Sequence, residues 1–213
     1  MKKILFTSVI LLFSLCSFAQ KDAKAKDILD KASKAYEQAG DMSVYFTMDI
    51  KDQGSNAAKF DGQLHVKGTK LQLTTPEAET WFDGKTQWGY MKELQEVNIS
   101  EPSEADMQSI NPSMIFNLYK KGCNYKFNSE KTDNKNRSVY EIELLPQGKS
   151  EMTRIVAQIN KTDYMPVYFH IFYKNKMENK IYINKYSTKQ NHPDKLFSFD
   201  KSKYPDAEII DLR

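Results

Sequence analysis

The chain has 213 residues, of which 40% are hydrophobic and 28% charged, and its formal net charge is +3. That apolar supply suffices for one substantial core without staples, and the charge is too small to argue for a nucleic-acid surface. Beyond the first twenty residues no stretch approaches the roughly 18 apolar residues of a membrane-spanning helix.

Residues 1–19 have the pattern of a secretory signal peptide. Lys2 and Lys3 precede an almost unbroken apolar run over 4–13, and Ser17-Phe18-Ala19 places small residues at −3 and −1 of a cut before Gln20. A lipoprotein cut at Cys16 would need a small residue where Leu15 stands, so ordinary cleavage after Ala19 is the expectation. It removes Lys2 and Lys3 and no acid, which lowers the charge from +3 to +1, and leaves Cys123 as the lone cysteine. An exported domain spanning 20–213 would then fold without an internal disulfide. Cys123 alternates with Tyr125 and Phe127 and reads as a small buried hydrophobe of a strand.

Residues 22–39 carry the one long helical pattern. Ile28, Leu29, Ala32, Ala35, Tyr36 and Ala39 recur at helical spacing, and Gly40 ends the run. From Asp41 the period becomes two. Val44, Phe46, Met48 and Ile50 alternate with Tyr45, Thr47, Asp49 and Lys51, a half-buried strand. Phe60, Gly62, Leu64 and Val66 predict a second strand, and Leu71 and Leu73 a third. Residues 80–83 and 86–91 flank Asp83-Gly84, a pair suited to a tight hairpin turn, and 94–99 predicts another strand. The connections are too short for crossovers, so these six strands form an antiparallel meander.

Asn111-Pro112 then caps a short helical pattern of Met114, Ile115, Leu118 and Tyr119, a helical insert in mid-sheet. Five more strands are predicted over 124–129, 138–145, 153–160, 165–173 and 180–186, with a short extended piece at 196–199. In the strand 165–173, Val167, Phe169 and Ile171 face one way and Tyr168, His170 and Phe172 the other, so both faces are apolar. With two or three helices available, the sheet must curl to cover itself. The expected fold is mainly β (α+β): a strongly curved antiparallel sheet of about 11 strands forming an incomplete barrel, with a lid of two or three helices over its concave apolar face.

No catalytic constellation is visible, and the expectation is a protein that is not an enzyme and has no cofactor or metal. His65, His170 and His192 lack metal-ligand spacing, and the first two read as strand residues. Gly84-Lys85-Thr86 imitates the end of a phosphate loop, but Glu79 stands where the earlier glycine belongs. Cys123 has no histidine nearby in sequence. What is abundant is apolar material: twelve tyrosines, two tryptophans, nine phenylalanines once Phe6, Phe13 and Phe18 are removed, and eight methionines beyond Met1. Methionine adapts to irregular contents, and a small barrel with this surplus can hold one hydrophobic ligand.

Several segments arrive together in a characteristic order. They are Met42-Ser43-Val44-Tyr45-Phe46-Thr47, Gly62-Gln63-Leu64-His65-Val66-Lys67, and the hairpin Asp83-Gly84-Lys85-Thr86-Gln87-Trp88-Gly89-Tyr90. A helix led by Pro112 follows, then Phe197-Ser198-Phe199, Pro205 and Ile209-Ile210-Asp211. The sequence thereby resembles the periplasmic outer-membrane lipoprotein carriers of the LolA type over nearly all of residues 20–213. The resemblance implies a soluble periplasmic monomer whose acyl-chain cavity is lined by Tyr36, Met42, Phe46, Leu64, Leu71, Leu73, Trp88, Met114, Phe116 and Phe169. It also implies acylated lipoproteins as cargo, an inner-membrane lipoprotein-releasing ABC transporter as donor and an outer-membrane acceptor. Where the family often has a lid-closing arginine this chain has Gly68, so either closure falls to Lys67 or Lys70 or the hairpin is simply shortened. The alternative reading is an envelope module of the same fold that senses a lipid or peptide and regulates a partner protein.

Overall fold

The computed structural model describes residues 22–102, 118–120 and 122–213. The predicted signal peptide and most of the mid-chain insert, including Met114 and Phe116, lie outside the described residues. The first element is helix α1, Ala23–Ala39. Asp22 caps it, its Oδ1 accepting from the backbone N–H of Lys24 at 2.9 Å and of Ala25 at 3.1 Å. Its Oδ2 accepts from the N–H of Phe127 at 2.8 Å, which ties the start of the helix to a distant strand. Ala25, Ile28, Leu29, Ala32, Tyr36 and Ala39 are buried, while Lys26–Asp30 and Lys31–Asp27 pair along the exposed side. The helix is amphipathic, as the spacing requires.

Among the described residues twelve strands make one open sheet. They are β1 (Met42–Asp52), β2 (Ser55–Lys67), β3 (Lys70–Thr74), β4 (Ala78–Phe82), β5 (Gln87–Met91), β6 (Glu96–Ser100), β7 (Cys123–Thr132), β8 (Ser138–Pro146), β9 (Met152–Asn160), β10 (Pro166–Tyr173), β11 (Met177–Ser187) and β12 (Glu208–Asp211). Their order is β12-β6-β5-β4-β3-β2-β1-β11-β10-β9-β8-β7. Two meanders meet where β1 pairs with β11, and β7 and β12 are the two edges.

Three expectations need correction. Among the described residues the strands number twelve rather than eleven, because the tail 208–211 joins the sheet. That strand runs parallel to β6, so the sheet is not wholly antiparallel; the long segment after β11 lets the chain return in the same direction. The piece expected to be extended at 196–199 begins instead in a 3-10 turn, Asp194–Phe197, entered from Pro193. Of the expected lid, the described residues contain α1 and the helical residues 118–120.

Register shifts at Tyr45/Phe46, Ile50/Lys51, Phe127/Ser129, Pro166/Tyr168 and Phe172/Tyr173 bend the strands and increase their twist. The bending lets one face close on α1. Val44, Leu64, Leu71 and Phe82 from the first meander and Ile142, Leu144, Ile155, Ile159 and Ile171 from the second belong to a single buried cluster with the helix. This is the inner face.

The outer face is built differently. Residues 189–207 form a strap across the outer side of the first meander. Phe197 is fully buried there, and Trp81 lies 5.6 Å from the rings of both Phe199 and Tyr204. The Tyr204 hydroxyl donates to Glu79 at 3.0 Å. The strand 165–173 is apolar on both faces for a related reason. Phe169 and Ile171 enter the core, while Tyr168, His170 and Phe172 lean on one another outside. The bulge after Pro166 takes Val167 out of line with Phe169, so that it borders a groove beside Tyr168 rather than the inner cluster. Curling of the sheet therefore covers one face, and the strap and ring stacking serve the other.

Candidate apolar binding site

The inner face is assembled from residues at alternate positions of neighbouring strands. Met42, Val44 and Phe46 on β1 stand opposite Val66, Leu64 and Gly62 on β2. Leu64 and Val66 in turn stand opposite Leu73 and Leu71 on β3. The one glycine in this ladder has a steric reason. A Cβ at Gly62 would lie 2.3 Å from Phe46 Cζ, so the ring of Phe46 lies across the β2 backbone where only glycine leaves room. From the second meander Phe169 on β10 aligns with Ile181 on β11 and Ala157 on β9. Helix α1 lies over this surface with Ile28, Leu29, Ala32 and Tyr36.

Of the ten sequence-derived lining residues, Tyr36, Met42, Phe46, Leu64, Leu71 and Phe169 are all buried in the one cluster, and Leu73 is half-buried against it. Trp88 is not brought to them. It pairs with Trp81, which pairs with Gln72, whereas Leu71 and Phe82 form the adjacent inward pair. Alternation therefore puts Trp88 on the outer face, and its parity with Tyr90 places both rings there. Met114 and Phe116 belong to the segment that is not described.

Polar groups on the inner side are few. The hydroxyl of Tyr186 donates to the carbonyl of Pro166 at 2.9 Å. Burial raises the pKa of both Tyr36 and Tyr186 well above the ordinary phenol value, so both rings stay neutral. Gln87 stands opposite Phe82 and Asn179 opposite Ile171, which places both on this face. Their side-chain oxygens are buried without a hydrogen-bond partner among the described residues. An apolar wall with two unpaired acceptors suits a ligand that is mostly hydrocarbon with an occasional N–H or O–H.

Gly68, where the resemblance implies a closing arginine, sits in a turn with positive φ, and the neighbouring lysines act elsewhere. Lys67 and Lys70 reach Asp194 of the strap at 3.0 and 3.3 Å. They hold the outer strap, and no described contact links them to the lid expected over the inner face.

The sequence did not foreshadow a second concavity, a groove of about 410 Å³ on the outer face between the β7–β8 hairpin and strands β9 to β11. Lys131, Asp133, Arg137, Glu141, Tyr168, His170 and Tyr182 line it. Its charges are largely paired, with Arg137 to Asp133 at 2.7 Å and Lys131 to Glu141. His170 is 2.8 Å from Glu178, and burial lowers its pKa against the opposing pull of that carboxylate. Nothing in this groove pairs a nucleophile with a base. Among the described residues no three His, Cys, Asp or Glu side chains converge as a metal site, and no helix is long and apolar enough to cross a membrane.

A family model described as outer membrane lipoprotein carrier protein LolA matches residues 15–171. No curated protein sequence matches the chain. Among solved structures, an uncharacterized conserved protein from Thermus thermophilus aligns at TM-score 0.58 with 12% identity, covering 88% of this chain and 99% of its own. That likeness is one of fold. A putative outer membrane lipoprotein-sorting protein domain from Vibrio parahaemolyticus aligns at 0.47 with 13% identity, covering 84% and 99%. The MucA/MucB complex of Pseudomonas aeruginosa aligns at 0.42 with 12% identity, covering 84% and 62%.

Proposed function

The chain belongs to the LolA family of outer membrane lipoprotein carrier proteins, and we propose that it is a periplasmic carrier that shelters lipoprotein acyl chains between α1 and the inner face of the sheet. In this reading the cargo comes from an inner-membrane lipoprotein-releasing ABC transporter and goes to an outer-membrane acceptor. The observation that carries the proposal is the inner face itself, one continuous apolar cluster that the amphipathic helix α1 packs over. An acyl chain contributes about 0.8 kcal/mol per buried methylene. Hydrocarbon can therefore replace the contacts that α1 makes with the sheet, and no catalytic group is needed. The proposed lining is Tyr36, Met42, Phe46, Leu64, Leu71, Leu73 and Phe169, with Met114 and Phe116 from the insert.

Native mass spectrometry of protein purified gently from a periplasmic extract tests this. A bound acylated lipoprotein is the expected result. Leu73→Glu should remove that mass while leaving circular dichroism unchanged, because Leu73 is half-buried and the new carboxylate can reach water. A protein that comes out empty and takes up no hydrophobic dye would overturn the proposal and leave the sensing-module reading in its place.

A further inference from the structure

Ser43, His65 and His192 come together on the outer face, at the corner where α1 passes into β1. The Ser43 hydroxyl oxygen is 2.8 Å from His65 Nδ1 and 3.3 Å from His192 Nε2. The two imidazoles meet edge to face with centroids 4.8 Å apart. Gln63 Nε2 lies 2.9 Å from His65 Nε2 and donates to the Tyr45 hydroxyl at 3.1 Å. Ser43 is 3% exposed, so its hydroxyl has no recourse to water.

The hydrogen count in this cluster is tight. With the Gln63 amide donating to His65 Nε2, the His65 proton sits on Nδ1 and is given to Ser43, whose own proton goes to His192 Nε2. With the amide turned over, Gln63 accepts from His65 Nε2–H, Ser43 donates to His65 Nδ1, and His192 Nε2–H donates to Ser43. In both arrangements each hydrogen has one acceptor, and in both the imidazoles are neutral. One added proton is accommodated, on His65 Nε2 with Gln63 turned over to accept it or on His192 Nδ1, at the cost of a cation in a half-buried site. A second makes both rings donors to Ser43, leaves the buried hydroxyl hydrogen without an acceptor and sets two cations side by side.

The same corner is where the strap is fastened. The backbone N–H of Lys189 donates to the carbonyl of Ala39, the last residue of α1, at 3.1 Å, and that of Gln190 to Asp41 at 2.9 Å. Lys67 Nζ donates to the His192 carbonyl at 2.7 Å and lies 3.0 Å from Asp194 and 3.9 Å from Asp41. Lys70 adds a second cation at Asp194. The ring of His192 also packs edge-on against buried Phe197.

We propose that Ser43, His65 and His192 form an acid-sensitive latch that holds the C-terminal strap, and with it the end of α1, against the sheet. The groups facing it are Asp41 from the helix–strand corner, Tyr45 from β1, Gln63 and Lys67 from β2, Lys70 from β3 and Asp194 from the strap. Lys67 and Lys70 keep the Asp194 carboxyl below the ordinary value, so it stays ionised while His65 titrates. Burial, and then the charge of His192, lowers His65 below the ordinary 6.5. The sign follows. The docked strap prefers a neutral His65 and the free strap allows its protonation near the ordinary value, so docking weakens as pH falls below about 6.5 and declines until the docked state also takes up the proton. Loss of the latch frees the end of α1, the element that caps the inner face. Only this last consequence, release of an apolar ligand, rests on the carrier reading.

Trp81 reports the latch, because it is 6% exposed beneath Phe199 and Tyr204 of the strap. With Trp88→Phe, Trp81 is the sole tryptophan, and its quenching by acrylamide measures whether the strap is docked. Quenching should rise about threefold between about pH 7.5 and about pH 5.5. Adding H65Q and H192Q should keep the neutral-pH shielding and flatten the rise. Proton NMR of the unmutated protein should show His65 titrating at the midpoint of the quenching transition. A rise that survives the double replacement, a His65 that titrates elsewhere, or no rise would each overturn the latch. A fluorescent fatty acid bound at neutral pH should dissociate about tenfold faster at about pH 5.5 from the unmutated protein. If none binds at neutral pH, the carrier reading fails while the Trp81 measurement still decides the latch.

Discussion

The two faces of the sheet are held by different physics. Inside, contacts among Leu64, Leu71, Phe169, Ile155 and α1 are apolar and non-directional, so another hydrocarbon can take the place of any one of them. Outside, apolar packing of Phe197 and of Phe199 on Trp81 is joined by directed bonds that fix the strap: Tyr204 to Glu79, Lys67 to His192 and Asp194, and the imidazoles to Ser43. A face that must exchange partners tolerates the first kind of contact. A face that must hold one arrangement until a condition changes needs the second, because a bond that can be protonated can be switched.

The largest way to break this comparison is Phe46→Glu. Phe46 is buried in the ladder opposite Gly62, so a carboxylate there has no partner and no water. Unfolding, or a loss of several kcal/mol in urea denaturation, is expected, in contrast to the tolerated Leu73→Glu at the half-buried margin. Leu29→Ala removes a fully buried contact of α1 and should cost about 2–5 kcal/mol by the same measurement. Gly62→Ala forces its new methyl into the Phe46 ring and should cost about 1–3 kcal/mol. Combining it with Phe46→Leu should recover part of that loss, and additive effects would mean the two do not touch.

Asp22→Ala sharpens the comparison at the seam between helix and sheet, with an expected cost of about 1 kcal/mol from the cap. The Asp22 carboxyl is held below its ordinary value, first by the Phe127 N–H and then by that of Ala25. Its contribution is therefore present above the ordinary carboxylate value and lost as pH falls through the lowered one. The difference between unmutated protein and Asp22→Ala should shrink in acid denaturation below about pH 4. The smallest effect is expected from Lys31→Ala, whose exposed pair with Asp27 should leave the denaturation midpoint within measurement scatter.

Much of the architecture was legible residue by residue. Helix α1 followed from Ile28, Leu29, Ala32 and Tyr36 at helical spacing, with Asp22 and Gly40 at its ends. The hairpin at Asp83-Gly84 followed from turn chemistry, and Asp83 Oδ1 does accept from the N–H of both Lys85 and Thr86 at 2.9 Å. Most inward residues were legible because alternation is local. Trp88 was misplaced because alternation gives two faces without saying which is inner, and only the pairing of Trp81 with Gln72 rather than with Leu71 settles it. The outer groove gave no signal, since its wall and floor come from separate strands.

The sequence by itself determined the helix, the alternation of strands β1 to β11 and the apolar surplus, because spacing and turn chemistry act over a few neighbouring residues. Tertiary structure decided the parallel return of β12 to β6, the joining of two meanders through β1 and β11, and the meeting of Ser43 with His192 across 149 residues. Those depend on which distant segments gain most by packing together, and no local pattern carries that free energy.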